Sequence, residues 1–248
     1  MIDLATSADP EIRRLLAGHR KVARVEESGS QGIEFQVGDW HRGVEIANPS
    51  LEVVGLVELI DNNPMVCADR MSVPDPISTL ALVALGPLAW AGMILEPPTV
   101  ISSADGDALL LDKFMATAGW GEGVTFHVES RDLGSVLAIT AMAAIATPSD
   151  WNEIDELFAE RFSRSFYVRR DEDSDWDPSL VAGQAYAMYR LRYTPGEAES
   201  LLTVQALADR QGKCGPAQVV HAMNVMAGFE ESLGVTSVRH PERERPTS

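Results

Sequence analysis

The chain has 248 residues, 45% of them hydrophobic, and its 37 acidic against 20 basic residues give a net charge of −17. It is long enough to bury a full core as one large domain. Such an acidic chain repels phosphate backbones and anionic lipids, so we expect no binding to nucleic acid or membranes. The two cysteines, Cys67 and Cys214, form no C-x-x-C pair, which disfavours a disulfide framework and a zinc site and favours the reducing cytoplasm.

The first third of the chain predicts a short strand, a helix, more strands and a buried helix. Met1–Leu4 is strand-like, and Asp9-Pro10-Glu11 has the proline and acid of a first helical turn. Residues 22–54 alternate like strands between glycines and prolines. From Pro76 to about Ala91 apolar residues occupy every helical face, which predicts an enclosed core helix.

The rest of the chain predicts two helices, an antiparallel platform and a closing helix. Residues 134–146, small and apolar, predict a helix, and a second helix opens at Asp150-x-x-Glu153. Pro216 and Gly228 mark the start and stop of the closing helix. The tail 236–248 is charged and predicted to be disordered. Strands are predicted at Val124–Arg131, Phe166–Arg169, Leu180–Tyr193 and Leu201–Ala208.

Four patches of the chain carry a family resemblance: Met1-Ile2-Asp3-Leu4-Ala5, Gly55-Leu56-Val57-Glu58-Leu59, the run from Val73 to Ile94, and Gly212 to Met226. In this order they resemble segments of the N-acetyl-γ-glutamyl-phosphate reductase and aspartate-semialdehyde dehydrogenase family. Their family counterparts are the I-D-L-S strand, the G-L-P-E-L segment, N-P-G-C-Y-P-T with its A-L-x-P-L helix, and the closing helix. The resemblance implies an α/β (α+β) fold over residues 1–235, a mixed, mainly antiparallel sheet covered by helices, which in the family packs against its twin in a homodimer.

The chain departs from this family at the residues of its chemistry. The family binds NADP through a glycine-rich strand-turn-helix, but Gly29-Ser30-Gln31-Gly32 lacks that spacing and Gly119-x-Gly121-x-Gly123 precedes a strand. The alignment puts Pro76, or Ile77 after a slip of one, at the position of the nucleophilic cysteine. No histidine lies between Ser103 and Gly123, where the family has its base. We therefore expect a domain without the nucleotide-binding half, with no cofactor and no reductase chemistry.

The start of the closing helix holds the first group of candidate site residues. Cys214 follows Lys213 at a helix N-terminus, which would lower its thiol pKa and make it a catalytic nucleophile. The alternative is that Cys214 is only a small residue that replaces the family's glycine in a tight turn. His221 would act in catalysis, and Lys213 and Asn224 would bind substrate, if this helix faces the old cleft. Histidines in such positions are more often cap or core contacts. Asp75, beside the vacated cysteine position, would also bind substrate.

The predicted strand Val124–Arg131 carries the second group of candidate site residues. His127, Glu129 and Arg131 alternate along one face and would provide acid-base catalysis and a substrate-binding cation. The alternative is a partly buried histidine satisfied by a carboxylate, with the arginine solvated, and H-x-E is too short to indicate a metal.

These observations favour a repurposed, cofactor-independent enzyme for a small amino-acid-derived or acyl substrate. Cyclisation, isomerisation, elimination and hydrolysis all stay open. The alternative is a non-catalytic pseudoenzyme or partner subunit that uses the dimer platform to bind a ligand or another protein. A homodimer is expected in either case, because the strand over 180–193 carries apolar or aromatic residues on both faces and needs two covers.

Overall fold

Two six-stranded sheets, each with its own hydrophobic core, organise the computed structural model, which describes residues 1–235. The first sheet contains β1 (Leu4–Ser7), β2 (Val25–Glu27), β3 (Ile33–Val37), β4 (Trp40–Ile46), β5 (Val53–Val54) and β6 (Arg70–Val73). The second contains β7 (Thr99–Ser102), β8 (Thr125–Val128), β9 (Val136–Ala146), β10 (Val168–Arg170), β11 (Ala187–Thr194) and β12 (Glu199–Asp209). The helices are α1 (Pro10–Ala17), α2 (Asn62–Cys67), α3 (Pro76–Trp90), α4 (Ala108–Thr117), α5 (Asn152–Phe162) and α6 (Pro216–Met226), with 3-10 turns at Val57–Leu59 and Pro178–Leu180.

The first sheet has the order β2-β1-β3-β4-β6-β5 and begins with a parallel β1–α1–β2 unit. Strand β3 runs antiparallel to β1 and β4, whereas β4, β6 and β5 are mutually parallel. The predicted strands over 22–54 are confirmed, and the first strand lies three residues later than Met1–Leu4. These strands form a sheet of their own, which their sequence pattern does not indicate.

The second sheet, ordered β10-β11-β12-β9-β7-β8, is the predicted mixed and mainly antiparallel platform. Its centre, β11-β12-β9-β7, is antiparallel, and the edge strands β10 and β8 are parallel to their neighbours. Helices α3, α4 and α5 cover one face. The predicted α/β fold class is therefore confirmed, and within residues 1–235 no helix is long and apolar enough to cross a membrane.

The helix predicted over residues 134–146 is wrong, because Val136–Ala146 forms β9, the longest strand together with β12. Alanine favours helices, but β9 pairs along its whole length with β12 and also with β7. Burial alternates along β9, with Ile139, Ala141 and Ala143 in the core. Tertiary pairing thus outweighs the local helical preference.

Other predicted boundaries shift by less. The helix after Asp150 is confirmed as α5, although its first capping position is Trp151 and Asp150 instead accepts from Asn152 N. The strand predicted over Leu180–Tyr193 begins only at Ala187, after a 3-10 turn. The predicted disordered tail, 236–248, lies outside the described residues.

Two helices are enclosed on every side. The predicted core helix is confirmed as α3, in which every residue from Ile77 to Ala89 is buried. Helix α6 starts with Pro216, and Gly228, with φ of +67°, follows its end as predicted. All eleven residues of α6 are buried, since it packs on the first sheet beside α1 and α2. These two helices carry the segments that matter for the site.

Candidate functional site

Helices α1, α3 and α6 begin around one partly open space, which we call the interhelical cavity. Its volume is about 240 Å³. Its walls combine charged, amide and thiol groups with aliphatic side chains. The lining includes Asp9, Ile12, Ile46, Pro76, Arg210, Gln211, Cys214 and Gln218.

The start of α3, where the family resemblance places a nucleophile, is closed by a carboxylate. Asp75 is the N-cap, and its Oδ1 accepts from Ile77 N at 3.0 Å and Ser78 N at 3.2 Å. Pro76 follows at the first helical position and has no N–H to donate. The helix N-terminus therefore offers few free N–H groups to a ligand, and Asp75, predicted to bind substrate, serves as a helix cap.

Cys214 lies beside this helix start. Its thiol donates to the Pro76 carbonyl oxygen at 3.5 Å, and the residue is only 3% exposed. Burial raises the pKa of this thiol well above its ordinary value, and this outweighs the opposing effect of the neighbouring Lys213 charge. The prediction of a lowered thiol pKa is therefore wrong, because the N-cap position of α6 belongs to Gly215 and the sulfur lies in the core.

Lys213 forms a buried ion pair with Glu58. Its Nζ lies 2.7 and 2.8 Å from the two carboxylate oxygens, and the side chains are 0% and 3% exposed. Ser165 Oγ also donates to Glu58 Oε1, at 3.0 Å. Burial is the largest single effect and opposes ionisation of Glu58, but Lys213, together with His221 and a backbone hydrogen bond, outweighs it, so the pKa of Glu58 lies below its ordinary value. Lys213 is thus engaged in the core and does not line the interhelical cavity.

His221 also contacts a carboxylate in the core. Its Nε2 lies 3.0 Å from Glu231 Oε2, and its ring stacks on Tyr167 with centroids 4.0 Å apart. Tyr167 Oη donates to the Glu231 carbonyl at 2.9 Å. Burial lowers the pKa of His221, so the neutral ring is favoured. His221 Nδ1 has no hydrogen-bond partner among residues 1–235.

Asn224 forms a hydrogen bond with His19, which follows the end of α1. Its Oδ1 lies 2.9 Å from His19 Nε2, while its Nδ2 donates to the carbonyls of Glu231 and Leu233 at 3.0 and 2.8 Å. His221 and Asn224 therefore hold residues 231–233 against α6. Neither lines the interhelical cavity, so the structure does not bring these two predicted residues to Cys214.

The second predicted group lies on the second sheet, at its β8 edge. His127 is exposed on this strand, which ends at Val128. Glu129 and Arg131 follow it and form an ion pair at 2.6 Å, with 61% and 63% of their side chains exposed. The structure thus joins Glu129 to Arg131, but the lining of the interhelical cavity comes from other elements.

The buried contacts around Lys213, His221 and Asn224 involve five residues that the sequence did not predict: Glu58, Ser165, Tyr167, His19 and Glu231. Glu58 lies within the second family-like patch and could have been found as the partner of Lys213. The others lie in segments where nothing in the spacing indicates a contact with α6.

Comparisons with known proteins agree with this architecture. No protein-family model matches the chain. The N-acetyl-gamma-glutamyl-phosphate reductase of Bacillus cereus (strain 03BB102) is 22% identical over 200 residues, covering 68% of this chain and 57% of the relative. The reductase of Bacillus mycoides (strain KBAB4) is 23% identical with the same coverage. The match thus spans little more than half the length of these curated relatives.

Solved structures share the fold at low identity. Aspartate semialdehyde dehydrogenase II from Vibrio cholerae superposes with a TM-score of 0.60 at 10% identity, covering 92% of this chain and 99% of that one. The same enzyme complexed with ASA gives a TM-score of 0.59, covering 92% and 98%. The chain is thus similar in sequence to N-acetyl-γ-glutamyl-phosphate reductases and shares its fold with an aspartate semialdehyde dehydrogenase, which agrees with the resemblance of the four sequence patches.

Proposed function

We propose that this chain is a non-redox relative of the reductases, one that binds a small amino-acid-derived or acyl ligand in the interhelical cavity without a nicotinamide cofactor. The observation that carries the proposal is the start of α3. Pro76 stands where the resemblance requires a nucleophile, and Asp75 occupies the N–H groups of Ile77 and Ser78.

Thioester chemistry needs a thiolate and donors for the oxyanion that forms when it attacks a carbonyl. Pro76 provides no nucleophile, and the Asp75 carboxylate would repel a developing oxyanion at this helix end. The nearby thiol, Cys214, is held in the neutral form by its burial. Both requirements of the ancestral reaction are therefore unmet at α3.

The first β–α turn supports the absence of nucleotide binding. Asp9 caps α1 and accepts from Glu11 N at 2.7 Å and Ile12 N at 3.0 Å. In a dinucleotide site, such N–H groups face the pyrophosphate across a glycine-rich turn. Here the turn Ser7-Ala8-Asp9 has no glycine, and a pyrophosphate would meet a carboxylate.

The interhelical cavity still offers recognition groups for a small ligand. Arg210 provides a cation at its edge, and Gln211 Oε1 is buried without a hydrogen-bond partner among residues 1–235. Gln218 is held in place, since its Nε2 donates to Pro74 O at 3.2 Å and Thr79 Oγ1 at 3.0 Å. A cation beside amides suits an N-acyl amino acid, with its carboxylate on Arg210 and its amide on Gln211.

Titration calorimetry with N-acetyl-L-glutamate tests this assignment. We expect Arg210→Gln to weaken binding at least about tenfold, because a hydrogen bond to a charged group contributes about 1.5–3 kcal/mol. Lys21→Gln removes an equal charge from an exposed site outside the cavity and should leave binding unchanged. Equal affinity in the two variants, or no binding at all, would reject the cavity as the ligand site.

A catalytic version of this proposal is favoured by one further observation, the position of Cys214 on the cavity wall beside Pro76. A neutral thiol there could donate a proton during cyclisation, elimination or hydrolysis of a bound acyl compound. If the Cys214→Ala variant still turns over the acyl compound, Cys214 is not the proton donor. Loss of turnover with unchanged ligand affinity would support this role.

The homodimer remains part of the proposal, through the uncovered face of the second sheet. Leu201 is 40% exposed there and pairs with Ala144, while Thr203 pairs with Met142. A sheet face with such apolar residues is expected to be covered by a second copy. We expect Leu201→Asp to give a monomer in sedimentation velocity, whereas Leu109→Asp, at an exposed position of α4, should not.

A further inference from the structure

A polar cleft of about 560 Å³ lies between the start of α2 and the end of α5, and we call it the α2–α5 cleft. We propose that it is a second ligand site, one that binds a free amino acid as its zwitterion. It shares no lining residue with the interhelical cavity, so the inference is independent of the proposed function. Its lining is Glu58, Ile60, Asp61, Asn62, Asn63, Glu160, Arg161 and Arg164.

Two arginines of this cleft lack a carboxylate partner. Arg161 and Arg164 stand one helical turn apart at the end of α5, and neither lies within 4 Å of an acidic side chain in the described part of the chain. The chain has 37 acidic residues against 20 basic ones, so partners for surface arginines are plentiful. Two neighbouring arginines left unpaired on one cleft form a receptor for an anionic group.

Arg161 is held in a fixed orientation. Its guanidinium carbon lies 3.4 Å from the centre of the Trp90 ring, within the range of a cation–π contact. Its Nε is buried and has no hydrogen-bond partner among residues 1–235. A buried donor left unpaired destabilises the free protein, and a ligand carboxylate would provide the missing acceptor. Because the stacked guanidinium is already oriented, less entropy is lost on binding.

The acidic residues of the cleft indicate which group the other end of the ligand carries. Glu58 is buried, forms an ion pair with Lys213 and accepts a hydrogen bond from Ser165, so it is not free to meet a ligand cation. The exposed carboxylates of Asp61 and Glu160 are the acidic groups left to meet a cation. A carboxylate on the arginines and an ammonium on these acids match a free amino acid, whereas an acylated amino acid lacks the ammonium.

Titration of the full chain with L-glutamate, followed by amide chemical shifts, tests the site. We expect saturable shifts in residues of α2 and α5, and at least about tenfold weaker binding in Arg164→Gln, whose exposed side chain can be changed without disturbing the core. Arg161→Lys keeps the charge but loses the stacking on Trp90, and it should also weaken binding. The control Lys113→Gln removes a cation from an exposed position of α4 and should have no effect.

The remaining outcomes separate the two proposed sites. Binding of L-glutamate that Arg164→Gln leaves unchanged, or that Lys113→Gln weakens equally, overturns the proposal. So does the absence of saturable shifts for L-glutamate and L-aspartate up to about 10 mM. Arg210→Gln should leave L-glutamate binding intact, so failure of the interhelical cavity would not be mistaken for failure here.

Discussion

Lys213 and Glu58, 155 positions apart in the sequence, form an ion pair at 2.7 and 2.8 Å that is removed from solvent. Glu58 lies on the 3-10 turn that follows the first sheet's β5, and Lys213 lies just before α6. The pair therefore ties the connection between β5 and β6 of the first sheet to the segment that precedes α6, the helix that covers the first core. Its burial explains why Lys213 serves the fold rather than a ligand.

Breaking this pair is predicted to be costly. We expect Lys213→Met to lower the free energy of unfolding by about 3–5 kcal/mol, because Glu58 would remain charged and buried without a partner. The double variant Lys213→Met with Glu58→Gln should recover much of that loss, since no unpaired charge remains. Urea denaturation of the wild type and these two variants measures both effects, and a loss below about 1 kcal/mol in Lys213→Met would contradict the prediction.

Arg42 is predicted to stabilise the fold about as strongly as the Lys213–Glu58 pair does. Its guanidinium, on a residue only 3% exposed, donates to the carbonyls of Met65, Val66 and Ala68 near the end of α2 and to Met226 at the end of α6. Cations stabilise helix C-termini, and Arg42→Met would leave these carbonyls without their donor.

We expect Arg42→Met to reduce the free energy of unfolding by about 3 kcal/mol or more. Arg24→Met provides the comparison, since the Arg24 side chain is 65% exposed, and it should change stability by no more than about 0.5 kcal/mol. Indistinguishable denaturation midpoints for the two variants would show that the buried network around Arg42 contributes little.

Stability should fall as the pH drops from 7.5 to 5.5. Burial lowers the pKa of both His19 and His221, so the unfolded chain takes up protons first. Stability is therefore complete above the unfolded histidine value near 6.5 and is lost below it, by up to about 1.4 kcal/mol per pH unit for each histidine. His19 accepts from Lys21 N at 3.2 Å through Nδ1, an interaction that protonation removes.

Urea titrations across this pH range measure the effect in the wild type and in His19→Gln. The variant should show a smaller pH dependence, whereas His41→Gln, at an exposed strand position, should match the wild type. If His19→Gln and the wild type have the same pH dependence, His19 is not buried in its neutral form.

The two cysteines should differ in reactivity. Cys67 is exposed and Cys214 is buried with a raised pKa, so a thiol reagent should modify Cys67 quickly and Cys214 only on the timescale of unfolding. Native Cys67→Ser should then show no fast phase, and full reaction should appear in denaturant. A fast phase in native Cys67→Ser would mean that Cys214 is an activated nucleophile after all.

Local rules predicted much of this fold but little of its centre. Capping residues and proline positions located α1, α3 and α6, because those signals act within one helical turn. The helix predicted at β9 is wrong because its alanine-rich sequence favours a helix locally, whereas pairing with β12 and β7 makes it a strand. The pairs Lys213–Glu58, His19–Asn224 and His221–Tyr167 join distant segments, and no periodicity in one sequence encodes such contacts. Cys214 illustrates the same limit, since its neighbours in sequence indicated activation whereas its neighbours in space keep it neutral.

Calorimetric titration of the full chain with NADPH, combined with an assay for NADPH oxidation on an acyl phosphate, tests the central claim most directly. The Asp9 and Asp75 carboxylates at the starts of α1 and α3 lead us to expect neither saturable binding nor turnover. Tight NADPH binding accompanied by formation of an aldehyde would contradict the account.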